Sequence, residues 1–289
     1  MSRIEKAMER AAQLRQGATA PAETQLVEKP LSDPEIRPFH TPPPTGTAPK
    51  ITVPDNPFLI NFNDPYSPIG EELRKLKAAL VQLTTGDTFH NTMLVTSAVP
   101  SEGKSLTALN LAISLAQEYD HTVLLIDADF RRPTIHHHLG IELKQGFSDC
   151  LLGEAEIGDV IIPTGIGRLS VITAGREVPN PVELFASQKT ETLIAEMKGR
   201  YHDRYIIFDT PPVLPFAEAR TLAHLVDGIL FVVKEKLASQ ANIKEAIDAL
   251  KGCRMLGLIY NDAVISRHDE QYSSYQNYQR YSRSEKPNV

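Results

Sequence analysis

The chain has 289 residues, of which 42% are hydrophobic and 23% are charged, and its formal net charge is −6. This composition is typical of a globular protein with one large α/β domain and an appendage, and the acidic balance excludes a general nucleic-acid binder. Its two cysteines, Cys150 and Cys253, match no metal-ligand spacing. No apolar run approaches the roughly 18–20 residues of a membrane helix and the first residues do not resemble a signal peptide, so we expect a cytoplasmic protein.

The N-terminal part of the chain predicts an extension rather than a domain. Residues 1–16 favour a short amphipathic helix, which either docks on a partner or frays in isolation. Residues 17–68 hold twelve of the 21 prolines, so they predict an extended linker. The apolar face of the first helix consists of Ile4, Ala7, Met8 and Ala11.

From residue 69 to residue 262 the pattern predicts one α/β domain. A helical segment, GEELRKLKAALVQL at 70–83, leads into short apolar runs that alternate with helical patterns. Apolar strands separated by helices are typical of a doubly wound, mostly parallel sheet that is covered on both faces. The predicted strands are TMLVTS at 92–97, TVLLID at 122–127, LSVITA at 169–174, YIIFDT at 205–210, GILFVV at 228–233 and MLGLIY at 255–260.

The first predicted strand leads directly into AVPSEGKS at 98–105, which matches the P-loop pattern. Small residues there let the backbone N–H groups face a phosphate, and the helix that follows adds the positive end of its dipole. Lys104 is predicted to reach the β- and γ-phosphates and Ser105 to bind Mg²⁺. The predicted nucleotide contacts are Ala98, Pro100, Ser101, Glu102, Gly103, Lys104, Ser105 and Leu106.

Polar residues follow three further predicted strands, at the edge where a doubly wound fold binds ligands. Asp127 and Asp129 stand in VLLIDADFRRP, and Asp209 ends IIFD. Carboxylates beside a nucleotide can hold a metal or accept a proton, although an aspartate can also cap a strand-end turn. Asn261 is either a turn residue or a hydrogen-bond partner of a nucleotide base.

The motifs AVPSEGKS, LLIDADFRRP and IIFDTPP, in this order, resemble the bacterial tyrosine kinases of capsule and exopolysaccharide loci. VPNPVELFAS at 178–187 and EELRKLK at 71–77 extend the resemblance, which covers roughly residues 60–283. Par- and Min-type partitioning ATPases share the phosphate motifs. Those ATPases carry a lysine where this chain has Val99, and they lack a terminal tyrosine cluster.

The resemblance implies a P-loop NTPase fold and an ATP- and Mg²⁺-dependent tyrosine autokinase. By position in the family motifs, Lys104 binds phosphate, Asp127 takes the proton of the tyrosine, and Asp129 belongs to the same acidic motif. Asp209 holds Mg²⁺ through water. The implied catalytic residues are Lys104, Asp127, Asp129 and Asp209, and the implied metal residues are Ser105, Asp127 and Asp209.

A tyrosine-rich tail, residues 263–289, follows the predicted domain. By resemblance its tyrosines are the phosphoacceptors, and they enter the site of a neighbouring subunit in a ring. The chain from Asn261 to Tyr278 spans at most about 55–60 Å, so its reach does not by itself separate cis from trans phosphorylation. The four clustered tyrosines are Tyr272, Tyr275, Tyr278 and Tyr281.

The ring-forming helix of the family reads Glu, two residues, Arg, two residues, Arg. Here the pattern is Glu71, Arg74 and Lys77. Lysine cannot form the planar bidentate pair that arginine forms, which weakens the expected ring.

Many members of the family are fused to a membrane-spanning activator, and this sequence contains none. We therefore expect a separate membrane-anchored polysaccharide chain-length regulator as activator, a tyrosine phosphatase as a second partner, and a location peripheral to the inner face of the plasma membrane. Two alternatives stay open: a partitioning-type ATPase switch that phosphorylates no protein, and a non-catalytic assembly factor in which nucleotide only stabilises a scaffold.

Overall fold

The computed structural model describes residues 56–64, 67–86, 88–200 and 203–264. The predicted helix at 1–16, most of the predicted linker and the four clustered tyrosines lie outside the described residues, so what was inferred for them stays a prediction. Among the described helices, none is both long and apolar enough to span a bilayer.

A seven-stranded sheet forms the centre of the described chain, in the order β3-β4-β2-β5-β1-β6-β7. All neighbouring strands pair in parallel except β3, which runs antiparallel to β4 at one edge. This confirms the predicted doubly wound, mostly parallel fold class. The strands are β1 (Thr92–Ser97), β2 (Thr122–Asp127), β3 (Ile162–Pro163), β4 (Leu169–Ile172), β5 (Arg204–Asp209), β6 (Gly228–Lys234) and β7 (Met255–Asn261).

Helices connect the strands and cover both faces of the sheet. The predicted leading helix is α2, whose first turn is capped by Ser67 through a 3.0 Å hydrogen bond from the Gly70 N–H. The helices are α1 (Ile60–Asn63), α2 (Pro68–Thr84), α3 (Lys104–Leu115), α4 (Ile135–Leu139), α5 (Phe147–Leu152), α6 (Ile157–Val160), α7 (Pro181–Phe185), α8 (Gln188–Arg200), α9 (Glu218–Ala223) and α10 (Gln240–Ala249).

Two apolar layers, one on each face of the sheet, hold the domain together. Side chains of a strand alternate between faces, so on β5 Tyr205 and Ile207 belong to one layer and Ile206 and Phe208 to the other. The helix after the P-loop, α3, is buried at every residue from Thr107 to Leu115. A helix that is buried all round is held rigidly, and its first residue is the P-loop lysine.

One predicted strand ends two residues early because its end takes part in other hydrogen bonds; the bounds of the other predicted strands differ by at most one residue. LSVITA was expected to be extended over 169–174, but β4 ends at Ile172. The carbonyls of Thr173 and Ala174 accept hydrogen bonds from the N–H groups of Phe147 and Ser148, at the start of α5. The two-residue β3 has no counterpart in the predicted strands, since Ile162–Pro163 is too short to show a period.

The ordered domain begins earlier than expected, inside the segment that was predicted as linker up to residue 68. Leu59 is fully buried, and the carbonyl of Phe58 accepts a 2.8 Å hydrogen bond from the Asn110 amide on α3. Asn56 donates to the carbonyl of His138 at 3.3 Å. The apolar run FLINF at 58–62 is too short to show a clear helical or strand period, so only the tertiary contacts identify this anchor.

We expect Leu59→Ala to lower the free energy of unfolding by about 2–4 kcal/mol, because it leaves a cavity against α3. Urea unfolding of the full chain measures this. Phe58→Ala is the matched control: that side chain is 59% exposed, so its removal should change stability by no more than about 0.5 kcal/mol. Equal effects of the two variants would contradict the assignment of this segment to the domain.

Candidate nucleotide and metal site

The sheet order brings the predicted site residues to one edge. β5 lies between β1 and β2, so the P-loop that follows β1 stands next to the carboxyl ends of β5 and β2. Asp209 is paired in register with Val95 on one side and with Asp127 on the other. The structure thus brings the P-loop and the predicted carboxylates together, as expected for ligand sites in open α/β sheets.

The P-loop backbone is curled at two positions. Ser101 and Gly103 have φ angles of +69° and +89°, both in the left-handed region. Alternation of such residues with ordinary ones turns successive N–H groups toward one concave side, which can accept an anion. Lys104 begins α3 directly after Gly103, so the helix N-terminus points at the same place.

Asn261 lies against this loop. Its side-chain Nδ2 donates to the carbonyl of Glu102 at 2.9 Å, and a Cβ on Gly103 would lie 2.1 Å from that nitrogen. Gly103 therefore has two reasons to be glycine: its positive φ and the neighbouring amide. The structure places the Asn261 amide on the backbone of the loop, and its predicted contact with a nucleotide base stays a prediction.

Lys104 is held by the acidic residues beside it. Its Nζ lies 2.9 Å from Oδ2 of Asp129, and both side chains are largely buried. Burial on its own would lower the pKa of Lys104, but the carboxylates of Asp209, Asp129 and Asp127 outweigh it and raise the pKa above its ordinary value. Lys104 therefore stays protonated at neutral pH. A bound phosphate would pair with its ammonium group beside Asp129 or in place of Asp129.

Asp127 is fully buried and is fixed by backbone groups. Its Oδ2 accepts hydrogen bonds from the N–H groups of Thr134 and Ile135, at 3.0 and 3.1 Å, and its Oδ1 accepts from the Asp129 N–H at 3.3 Å. Burial, together with the nearby charges of Asp209 and Asp129, raises its pKa well above the usual range, and the amide donors offset only part of this. A carboxylate with a raised pKa binds a proton more readily than a free one.

Asp209 differs in its hydrogen bonding from Asp127 and Asp129, whose oxygens accept from backbone N–H groups. It is fully buried, and neither carboxylate oxygen has a hydrogen-bond partner among the described residues. Burial raises the pKa of Asp209 to about 6; Lys104 and the Ser105 hydroxyl lower it only in part, and Asp129 adds to the rise. Buried carboxylate oxygens without partners are uncommon in folded proteins, and a cation is one way to satisfy them.

The residues present fit a magnesium ion that is shared with phosphate. Carboxylate and hydroxyl oxygens are the ligands that Mg²⁺ prefers, and Asp127, Asp209 and Ser105 supply them at one edge of the sheet. The described residues contain no group of three or more His, Cys, Asp or Glu side chains arranged to hold a metal. A metal here would therefore need further ligands from water and substrate phosphates, which is the usual mode for Mg²⁺.

A second ion pair near the acidic motif was not predicted. Arg131 Nε lies 2.9 Å from Oε1 of the buried Glu218 at the start of α9, and the Arg131 guanidinium lies 5.1 Å from the centre of the Phe216 ring. These contacts join the chain after β2 to the chain after β5. The arginine directly after the acidic motif was the only sequence signal for them.

The predicted oligomerisation residues pair within the chain. Arg74 forms an ion pair with Glu71 one turn earlier on α2, and Lys77 Nζ lies 2.5 Å from Glu118 Oε1 beyond the end of α3. Their predicted role between subunits stays a prediction.

We expect Asp209→Asn to raise the free energy of unfolding of nucleotide-free, metal-free protein by about 1–3 kcal/mol at neutral pH. The raised pKa of Asp209 means that its ionised form costs stability above about pH 6, and this cost fades as the pH falls through 6 toward 4. The gain of the variant should shrink over the same interval. Urea unfolding with a chelator, at a series of pH values, measures it.

Asp227→Asn is the control for that experiment. Burial alone would raise the pKa of Asp227, but hydrogen bonds from Lys198 and Thr92 outweigh it and hold the pKa below its ordinary value. Its charge stabilises the fold above the unfolded-state pKa, and this is lost as the pH falls through the folded-state pKa. The control should lose stability at neutral pH; a similar loss in Asp209→Asn would contradict the account of Asp209.

Known proteins resemble this chain in sequence and in fold. Residues 101–256 match the family described as AAA domain. The chain is 34% identical over 214 residues to tyrosine-protein kinase YwqD of Bacillus subtilis (strain 168), covering 73% of this chain and 89% of that protein. It is 30% identical over 219 residues to the putative tyrosine-protein kinase CapB of Staphylococcus aureus, covering 75% of this chain and 94% of that protein.

The fold is also similar to that of a solved structure. The crystal structure of the chimerical protein CapA2B2 overlays with a TM-score of 0.67 at 30% identity, covering 72% of this chain and 91% of that one. The resemblance inferred from the motifs is confirmed: the chain belongs to the bacterial tyrosine-protein kinase family.

Proposed function

We propose that this tyrosine kinase uses Mg²⁺–ATP to phosphorylate its own C-terminal tyrosines, in trans within a ring, and so regulates exopolysaccharide polymerisation or export. The observation that carries the proposal is the convergence of the P-loop lysine with three buried carboxylates at the ends of β2 and β5. Lys104 Nζ lies 2.9 Å from Asp129 Oδ2 in this cluster. Family membership at 30–34% identity supports the same chemistry.

Binding of the nucleotide begins with the loop and the helix behind it. The curled N–H groups and the N-terminus of α3 donate hydrogen bonds to the phosphates, and Lys104 exchanges its ion pair with Asp129 for one with the β- and γ-phosphates. Ser105, Asp127 and Asp209 are the residues that would hold Mg²⁺, which neutralises phosphate charge when it is bound. Together these groups stabilise negative charge as the phosphoryl group is transferred.

Transfer then requires a proton acceptor. The phenolic oxygen of a tyrosine forms a bond to the γ-phosphorus, while the bond from that phosphorus to the β–γ bridging oxygen breaks and ADP leaves. The phenolic proton passes to Asp127, the buried carboxylate at the end of β2. The amides of Thr134 and Ile135 hold that carboxylate in place.

Lys104→Met should abolish autophosphorylation, because it removes the cation that would bind the transferred phosphoryl group. Intact mass and phosphotyrosine mapping after incubation with Mg²⁺–ATP measure this. Wild type should gain phosphate on the cluster Tyr272–Tyr281, and Lys104→Met should gain none.

Lys251→Met is the matched control, since this exposed lysine lies between α10 and the start of β7, at the edge of the sheet opposite the P-loop. It should behave as wild type. Release of ADP with an unmodified tail would favour the alternative function, a partitioning-type ATPase switch. Binding of ATP without turnover would favour the non-catalytic assembly factor.

Phosphorylation should loosen the ring, because it reverses the charge of the tail. From residue 267 onward the tail carries a net charge of about +1, with four basic and three acidic residues. Four phosphotyrosines at about −1.5 to −2 each would bring it to about −5 to −7, and tails gathered in one ring would repel each other. Light scattering of phosphorylated and unphosphorylated protein should show a smaller assembly after phosphorylation; equal masses would refute this.

The partners follow from the same proposal. A membrane-anchored polysaccharide chain-length regulator would activate the kinase and hold it at the inner face of the membrane, and a tyrosine phosphatase would reset the tail. The helix predicted at 1–16, or the linker that follows it, would take part in docking this partner. Comparing partner binding by the full chain and by a chain that lacks residues 1–55 tests that role, and unchanged binding would rule it out.

A further inference from the structure

The side chain of Glu102 stands in the middle of the phosphate loop, yet it is fully buried. Its Oε2 accepts a hydrogen bond from the Val99 N–H at 2.8 Å, and its Oε1 accepts one from the Lys234 N–H at 3.3 Å. Val99 is at the start of the loop, and Lys234 is the last residue of β6. The carboxylate therefore spans the loop and fastens it to a neighbouring strand.

Asn261, on β7, forms a further hydrogen bond to Glu102. As the last residue of β7, it donates from Nδ2 to the Glu102 carbonyl at 2.9 Å, and its own carbonyl accepts from the Glu235 N–H at 3.0 Å. Glu102 is thus bound through its side chain to β6 and through its backbone to β7. The hydrogen bonds from Lys234 and Asn261 to Glu102 connect the phosphate loop to the β6–β7 side of the sheet.

The curl of the loop needs such support. Ser101 and Gly103, on either side of Glu102, both have left-handed φ angles, and this conformation is unfavourable for a serine. A strained backbone persists only where its surroundings fix it. Hydrogen bonds to both the side chain and the carbonyl of the residue between them supply that constraint.

We propose that Glu102 and Asn261 are positioning residues that keep the phosphate loop curled for its ligand. The inference rests on the nucleotide site proposed above. Neither residue needs to touch the reacting atoms. Loss of a positioning residue weakens the binding of every ligand that has a phosphate chain. Loss of a residue that contacts the base weakens the binding only of ligands that carry that base.

The negative charge of Glu102 gives a second way to test the positioning role, because charge repulsion and loop positioning predict opposite effects on phosphate binding. A carboxylate inside a phosphate loop repels phosphates, so its removal would tighten binding if long-range charge were its main effect. If its two hydrogen bonds shape the loop, removal weakens binding instead. The two effects therefore have opposite signs in the same variant.

The test measures dissociation constants of ADP, GDP and inorganic tripolyphosphate, with Mg²⁺, for the full-length chain and for three variants. We expect Asn261→Ala to raise the dissociation constants of all three ligands by one common factor of about 3–10, which corresponds to the loss of one hydrogen bond. Glu102→Ala should raise the dissociation constants by at least the same factor. Glu102→Gln keeps one acceptor oxygen, so it should raise them less than Glu102→Ala.

Asp262→Asn is the matched control at the same end of β7. Its side chain pairs with Lys234 Nζ at 2.9 Å, and its φ of +55° is one that asparagine tolerates. We expect its dissociation constants to stay within about twofold of wild type, because an exposed ion pair contributes little. Melting temperatures of all variants are recorded, and binding is measured where each is folded.

Three results would overturn the positioning role. Weakening of ADP alone by Asn261→Ala, with tripolyphosphate unchanged, would make Asn261 a base reader. Tighter binding by the Glu102 variants would make charge the main effect. Lower melting temperatures with unchanged dissociation constants would leave only a structural role. Equal binding by wild type and Lys104→Met would instead refute the proposed nucleotide site, and the positioning role with it.

Discussion

The site depends on one electrostatic constraint: three aspartates are buried at the ends of two adjacent strands with a single lysine among them. Lys104 pairs directly with Asp129, and the charges of Asp127 and Asp209 add to its raised pKa. The oxygens of Asp209 have no hydrogen-bond partner in the described part of the chain. Such an arrangement is costly in a nucleotide-free protein and becomes favourable when more positive charge is present. The cluster is therefore suited to receive a cation together with phosphates.

The sheet makes this arrangement possible. Because β5 lies between β1 and β2, Asp127 and Asp209 become direct neighbours although 82 positions separate their numbers. Two apolar layers hold the strands at fixed spacing, so the carboxylates cannot move apart to relieve their repulsion. The stability of the core in effect maintains the unfavourable charge cluster, which is common at functional sites.

Most of the predicted elements were found where the pattern placed them, and the reason is local. β1 and β2 were predicted with their observed bounds because each is a continuous apolar run between polar segments. The P-loop, the acidic motif and Asp209 could be predicted as one site because the carboxyl ends of parallel strands meet at one edge. Leu59 and the end of β4 could not, because their contacts come from residues far away in sequence.

The sequence by itself determined the fold class, the family and the set of chemical groups at the site, since all of these follow from short-range periodicity and contiguous motifs. The tertiary structure alone decided what those groups do to each other. It placed Asn261 on the Glu102 carbonyl, turned the Glu102 carboxylate to the amides of Val99 and Lys234, and left Asp209 without a hydrogen-bond partner among the described residues. Hydrogen bonds and pKa shifts depend on distances of a few ångströms between segments that are remote in the chain, and those distances exist only once the sheet has formed.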